Sequence, residues 1–264
     1  MYTAIHPIVI EAREAVLEVY HSGNFDTEEK SDHSPITRAD RTSHTILLQG
    51  LAQAFPDIPI ISEESRSADQ PGGEGPFWLI DPLDGTKEFV RRTGEFTINV
   101  GLVAANGHPI WGLVDVPLAR RTYFGGANRA FRVSEGDIEA LPALTETAAD
   151  RPLRIAVSRS HRGSADDWLN ARGIRVQDLV YAGSAVKFCW IAEGSADLYV
   201  RLLPTMGWDT AAGQAIVEAV GGRVTGFDGQ NLWYQPHSQV NPEFVAWRPI
   251  NGEPGVIIPS SDSG

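Results

Sequence analysis

The sequence predicts a mixed fold, an α+β N-terminal half followed by an α/β C-terminal half. Three observations point there. Two helical patterns open the chain, a meander of strand patterns fills 95–133, and from "RIAVS" (154–158) onward strands alternate with helices. Such alternation marks crossover helices on a largely parallel sheet. With 264 residues, 42% of them hydrophobic, the chain can bury a large core as one big domain or two modest ones. The expected division is 1–150, an α+β metal-binding domain, and 151–264, an α/β substrate-binding domain, with the site between them.

Taken in order, "HPIVIEAREAVLEVYHSG" (6–23) reads as a helix with Pro7 in its first position and Gly23 as its stop. A second helix runs through "RADRTSHTILLQGLAQAF" (38–55), with Ile46, Leu47, Leu51 and Ala54 on one face and Pro56 behind it. "IPIIS" (58–62) and "FWLID" (77–81) are buried strands, separated by the polar, Pro/Gly-rich surface loop 66–76. In the meander, Asn106-Gly107 is a hairpin turn and Gly125-Gly126 a second break. The stretch 135–152 has no clear period and reads as a connector. Beyond it follow helix 165–173, strand 178–182, helix 184–194, strand 196–202, helix 209–222 and strand 223–227. The tail "PSSDSG" carries no ordering signal.

Composition removes several function classes. A net charge of −12 argues against a nucleic-acid polymer as partner, because phosphate backbones are bound by basic surfaces. An acidic protein can still take a small anion where metal ions invert the local field. The single cysteine, Cys189, excludes an internal disulfide and fits a reducing cytoplasm. No basic, apolar leader and no apolar run of about 18 residues is visible, so neither a signal peptide nor a membrane span is expected. The histidines form no metal-binding pair at helical spacing, which argues against zinc.

The acids carry the chemistry. Each has an ordinary structural reading: Asp81-Pro82 and Asp84-Gly85 suit turns, and Glu63-Glu64 suits a loop start. Asp209 could cap the helix behind it, and Asp40 could be first-turn charge on its helix. Five such features at element ends, with Glu63-Glu64 counted as one, ask for a common cause. Mg²⁺ is one, since it takes hard oxygen ligands that repel one another without a cation between them. "IISEE" and "WLID" both finish in acids, as neighbouring strands would if they delivered Glu63 and Asp81 to one edge. Pro82 and Gly85 would turn Asp84 back to that edge and expose the Leu83 carbonyl as a neutral ligand. Backbone N–H groups near Gly85 and Thr86 would offer an anion site beside the metal. That combination describes phosphoryl transfer better than a calcium loop, whose short alternating acids are absent.

"DPLDGTKEF" (81–89), "WDTAAG" (208–213) and the upstream "SEE" (62–64) together resemble the Mg²⁺-dependent, lithium-sensitive phosphomonoesterases of the inositol monophosphatase superfamily. The resemblance runs from "KSDHSPITRAD" (30–40) to the glycine pair 221–222. Lys-Glu within "DPLDGTKEF", with "SRSH" (158–161) and "GSAVKFC" (183–189), is similar to the 3'(2'),5'-bisphosphate nucleotidases of CysQ type.

The resemblance implies a layered αβαβα sugar-phosphatase fold, two or three Mg²⁺ ions, and hydrolysis by metal-activated water. It implies Glu63, Asp81, Asp84, Asp209 and the Leu83 carbonyl as metal ligands, with Glu63, Thr86 and Asp40 activating the water. Gly85, Thr86, Asp209, Ser158, His161, Ser184 and Lys187 would hold the substrate. The implied substrate is adenosine 3',5'-bisphosphate, cleaved to AMP and phosphate, with 3'-phosphoadenylyl sulfate a second candidate. Inositol phosphate or fructose bisphosphate hydrolysis is the alternative; a non-catalytic metal- or nucleotide-binding regulator fits an intact set of acids less well. A monomer or weak homodimer is expected in the cytoplasm, with peripheral attachment to the inner membrane as an alternative. On residues alone, Ser184 could be a helix cap, Lys187 helix surface and His161 a loop histidine, while Cys189 and Trp190 fit a core helix.

Overall fold

Helix α1 (Tyr2–Ser22) begins before the expected proline, and Pro7 lies inside it. Packing holds its first turns although the proline removes a backbone donor: the Tyr2 ring stacks on Phe124 at 3.9 Å and Ile5 is fully buried. Gly23 ends the helix in the left-handed conformation, φ 70. The computed structural model describes residues 1–30, 35–65, 75–144, 147–148, 151–159, 162–236 and 240–251. The polar loop expected at 66–76, apart from Gly75 and Pro76, and the tail lie outside these.

Strands β1 (Glu28–Glu29) and β2 (Pro35–Ile36) form an antiparallel pair ahead of helix α2 (Arg38–Ala54). Thr37 and Asp40 cap α2 reciprocally: the Thr37 hydroxyl accepts from the Ala39 amide, and the Asp40 carboxylate accepts from the Thr37 amide at 2.7 Å. Its buried stripe is Ala39, Ser43, Leu47 and Leu51, while Ala54, expected on that face, is exposed. Contact with α1 includes Gly50, off this stripe, where a Cβ would stand 2.5 Å from the Ile8 side chain.

The first sheet runs in chain order: β3 (Ile60–Ser62), β4 (Phe77–Asp84), then past helix α3 (Thr86–Val90) to β5 (Thr97–Val103), β6 (Pro109–Val116), β7 (Arg121–Gly126), β8 (Arg129–Ser134) and β9 (Asp137–Ala140). Only β3 and β4 run parallel; the rest is an antiparallel meander. Two expectations are corrected here. Gly125 and Gly126 lie within β7, and the turn falls on Ala127-Asn128, both left-handed at φ 50 and 65. Part of the supposed connector 135–152 is β9, whose exposed side chains hide its strand character.

After β10 (Thr147–Ala148) come β11 (Leu153–Ser158), α4 (Arg162–Ala171), β12 (Val176–Ala182), α5 (Val186–Glu193), β13 (Leu198–Arg201), β14 (Thr205–Met206), α6 (Gly207–Ala219), β15 (Arg223–Gly226), β16 (Val240–Asn241), β17 (Phe244–Trp247) and β18 (Ile250–Asn251). The second sheet has the order β12-β11-β13-β17-β15. It is parallel across β12, β11 and β13, but β17 pairs antiparallel with both β13 and β15. The expectation of a largely parallel sheet therefore holds for one side only. The short apolar run "FVAW" gives no period long enough to reveal β17 in advance.

Three apolar cores show the layering. One lies between α1, α2 and the first sheet; a second joins both sheets around α5 and α6; a third holds Trp168 and Leu169 of α4 against the far face of the second sheet. The layers are α/β/α/β/α. The middle core takes residues from both halves of the chain.

Helix α6 lies across the first sheet on a row of glycines. Gly101, Gly112 and Gly125 are direct cross-strand partners on β5, β6 and β7. A Cβ on Gly112 would come within 2.1 Å of the Ala212 carbonyl oxygen, and one on Gly101 within 3.0 Å of the Ala212 amide nitrogen. Ala211, Ala212, Ala215 and Ala219 of α6 complete this small-residue contact, and all are buried. The helix is thus seated backbone-close to the sheet, which fixes where its N-terminus points.

Candidate active site

Strand β4 delivers two aspartates to one face by breaking its own alternation. Side chains along a strand alternate faces, so residues three apart should diverge. Opposite β5, Asp81 pairs with Asn99 but Asp84 pairs with Thr97, so β4 carries one extra residue there. That bulge returns Asp84 to the side of Asp81. It is anchored by the Ser43 hydroxyl donating to the Pro82 carbonyl at 2.7 Å and the Leu83 amide donating to Asp81 Oδ1 at 3.0 Å. Gly85 follows at φ 90, with the Glu95 carbonyl oxygen 2.8 Å from where a Cβ would stand.

Asp209 arrives from the first turn of α6, where its Oδ2 also accepts from the Met206 amide at 2.8 Å. The capping role and the site role coexist. Ligand oxygens of Asp81, Asp84 and Asp209 lie within 4.8 Å of one another. Burial, followed by the charges of Glu63, Asp84 and Asp209, pushes the Asp81 carboxyl well up. Burial likewise raises Asp84 to about 6, against the opposing pull of Lys187, Asn99 and the Ala185 amide. Asp209 is raised by burial and then by Asp84. A set of hard oxygen donors held in mutual repulsion fits a hard divalent cation.

Glu63 sits at the end of β3, its amide donating to the Ile80 carbonyl beside Asp81 at 3.2 Å. Its carboxylate is not one of the three clustered groups; Lys30 Nζ holds it at 2.8 Å and Glu64 at 2.6 Å. For Glu63 to ligate a cation, it must share its oxygens with that ammonium. Thr86 Oγ1 lies 3.0 Å from Asp40 Oδ1 and 3.1 Å from the Leu83 carbonyl oxygen. Asp40 is almost wholly buried, and burial raises its carboxyl despite the hydrogen bonds from Thr37 and Thr86.

The second half supplies the basic and hydroxyl groups. Lys187, open to a helix-surface reading from sequence, is 2% exposed. Its Nζ donates to the carbonyls of Ala182, Gly183 and Ser184 at 3.3, 2.9 and 2.5 Å and lies over the Tyr199 ring. Burial lowers its pKa to about 8, with Asp84 pulling the other way. Ser184 is not the N-cap, which is Ala185; it sits one residue earlier at φ 48, a costly conformation for a serine. Ser158 Oγ accepts from Arg201 Nη1 at 2.8 Å. His161 lies outside the described residues.

Arg201, Asn99 and Lys30 were not singled out from the sequence. Asn99 Nδ2 donates to Asp84 Oδ2 at 3.3 Å, and among the described residues its own Oδ1, fully buried, has no partner. Arg201 had a signal available. Ser158, Ser184 and Arg201 lie at or just past the carboxyl ends of the parallel strands β11, β12 and β13, where α/β sheets place their ligands.

A family model described as the inositol monophosphatase family matches residues 1–252. The 3'(2'),5'-bisphosphate nucleotidase CysQ of Shigella flexneri is 39% identical over 241 residues, covering 88% of this chain and 94% of that protein. The crystal structure of CysQ from Bacteroides thetaiotaomicron, described as a bacterial member of the inositol monophosphatase family, superimposes with a TM-score of 0.76 at 33% identity. It covers 93% of this chain and 96% of that one. An IMPase from Thermotoga maritima shares the fold at a TM-score of 0.74 and 23% identity, covering 94% of this chain and 92% of that one.

Proposed function

The chain belongs to the inositol monophosphatase family, and on that footing we propose that it hydrolyses the 3'-phosphate of adenosine 3',5'-bisphosphate, giving AMP and phosphate. 3'-Phosphoadenylyl sulfate, which carries the same 3'-phosphate and a sulfate on its 5'-phosphate, is a second candidate. The observation that carries this reading is a three-aspartate cluster set near the basic groups of the second sheet. The cluster would face one phosphate through metal, and the Arg201 guanidinium beside Ser158 would face a second anion without metal, with Lys187, whose three hydrogens go to backbone carbonyls, adding only its charge. The names of the relatives at 39% and 33% identity agree with it.

Asp81, Asp84, Asp209, the Leu83 carbonyl and Glu63 would hold two or three Mg²⁺ ions. The chemistry such cations supply when bound is water activation at neutral pH and screening of phosphate charge. The Thr86 hydroxyl has one hydrogen, which goes to Asp40 Oδ1, and its lone pairs then accept from the attacking water. Asp40 is suited to take the proton passed through Thr86, because burial raises its affinity for one. Gly85 keeps the turn bare of a side chain where the Glu95 carbonyl packs against it, and its backbone, with Ser158, Ser184 and His161, would position the nucleotide. Cys189 takes no part: it is fully buried, and burial pushes its thiol far up. Among the described residues no helix is long and apolar enough to cross a membrane.

A panel of adenosine 3',5'-bisphosphate, 3'-phosphoadenylyl sulfate, inositol 1-phosphate and fructose 1,6-bisphosphate, assayed with Mg²⁺ with and without Li⁺, tests the assignment. Release of phosphate should be fastest from the bisphosphate nucleotide and inhibited by Li⁺. Faster release from inositol 1-phosphate would overturn it.

The raised carboxyls also predict how metal and pH act together. A carboxyl with a raised folded-state pKa binds its proton more tightly folded than unfolded. Their contribution to the stability of the metal-free protein is therefore greatest at low pH and falls as pH rises from about 4, the unfolded value, through the Asp84 value of about 6. Chelator-treated protein should melt lower at about pH 8 than at about pH 5.5, with Mg²⁺ restoring more at the higher pH. An equal Mg²⁺ effect at both would contradict the arrangement.

A further inference from the structure

The Asp84-Gly85-Thr86 turn and the two substrate-side loops meet at one residue that neither motif contains, the turn at its backbone and the loops at its side chain. Glu95, just before β5, accepts from Arg159 Nε at 2.8 Å and from Arg159 Nη2 in a fork. It also accepts from the Gly183 amide at 3.0 Å. Its backbone carbonyl oxygen lies 2.8 Å from where a Cβ on Gly85 would stand and 3.0 Å from one on Gly183. Arg159 in turn donates to the Tyr181 carbonyl at 3.0 Å, tying the end of β11 to the end of β12.

We infer that Glu95 is a positioning residue that sets specificity by locking the nucleotide-holding loops against the metal-side turn. Each arm of the clamp ends next to a group assigned to the substrate. Arg159 follows Ser158, and Gly183 precedes Ser184, whose carbonyl holds Lys187. The aspartate cluster stands on β4 and α6; there Glu95 packs only its backbone carbonyl against Gly85, which Glu95→Gln leaves in place, while its carboxylate goes to Arg159 and Gly183. The clamp thus bears on the second anion's side of the cleft and leaves the scissile side to other supports. This rests on the nucleotidase reading and names its specificity device.

Glu95→Gln keeps a bond from the Gly183 amide and loses the paired charge with Arg159. Both side chains keep some exposure, 22% and 37%, which limits the effect. The expected result is a fall of about tenfold in kcat/KM for adenosine 3',5'-bisphosphate, mostly through KM, with less than about threefold change for adenosine 3'-monophosphate. The Mg²⁺ concentration for half-maximal rate should be unchanged. Arg159→Lys, which keeps charge without the fork, should fall between wild type and Glu95→Gln. Arg159→Gln breaks the same pair from its more exposed end and takes the place of Glu95→Gln in the comparison if that variant folds poorly. Equal losses on both substrates, or a shifted Mg²⁺ requirement, would overturn the proposal. Absence of wild-type turnover of adenosine 3',5'-bisphosphate would instead sink the nucleotidase reading itself.

Discussion

Replacing Asp84 by asparagine should abolish turnover and, in the same protein, make the metal-free fold more stable. The two effects have one origin. Asp84 shares a space of 4.8 Å with Asp81 and Asp209, and burial raises its carboxyl to about 6, well above an ordinary aspartate. Above that pH the folded chain confines repelling charges that the unfolded chain would separate. The amide is nearly isosteric and can still accept from Asn99 and the Ala185 amide, so the bulge should survive. Removing the charge relieves on the order of 1–2 kcal/mol in the metal-free state, a figure reduced for the partial exposure of Asp84. Loss of one anionic ligand from the reacting centre should lower kcat by about 10³-fold or more. Steady-state rates with excess Mg²⁺ and melting curves in chelator check both halves. Near-normal turnover would remove Asp84 from the metal set. Lost turnover with a lower metal-free melting point would mean that the aspartate supports the fold rather than a cation.

Much of this centre was legible from the chain because its devices are local. Proline after Asp81 and glycine after Asp84 announce a break in the strand, and α2 starts at Arg38 where expected, with Asp40 in its first turn. The bulge itself was not legible as such. A turn and a bulge use the same residues, and only the pairing with Asn99 and Thr97 shows which one formed. Long-range facts were harder still. The glycines of β5, β6 and β7 lie in one row only once strand register is set, so in sequence Gly125 reads as a break and Gly101 and Gly112 carry no signal. Lys187 was open to a helix-surface reading beside the substrate-binding one, because its burial depends on carbonyls at the end of a strand, β12, folding over it. Arg201 looked like an ordinary strand charge until β13 was placed beside β11.

Gly112→Ala should be the most damaging small change in the chain, and it acts at a distance from the chemistry. The added methyl would meet the Ala212 carbonyl oxygen at 2.1 Å, a backbone atom of a helix that cannot swing aside as a side chain would. Helix α6 is held on its other side by α5 and the second sheet through the shared core, so it cannot simply lift. Overpacking usually costs about 1–3 kcal/mol, and a backbone-to-backbone collision in the centre of a sheet belongs at the top of that range or beyond. A comparison series isolates the cause. Gly101→Ala, with 3.0 Å to the Ala212 amide nitrogen, should lose less. Gly75→Ala, with nothing within 4 Å, should stay within about 0.5 kcal/mol of wild type. Any helix shift moves Asp209, which sits in the first turn of α6 and has no other route to the cluster. The Mg²⁺ requirement should therefore rise in the order of destabilisation by urea: Gly75, Gly101, Gly112. If Gly112→Ala destabilises the fold while its Mg²⁺ requirement stays at the wild-type value, the glycine row seats the helix without positioning the ligand. A Gly112→Ala protein as stable as wild type would refute the row's role in both.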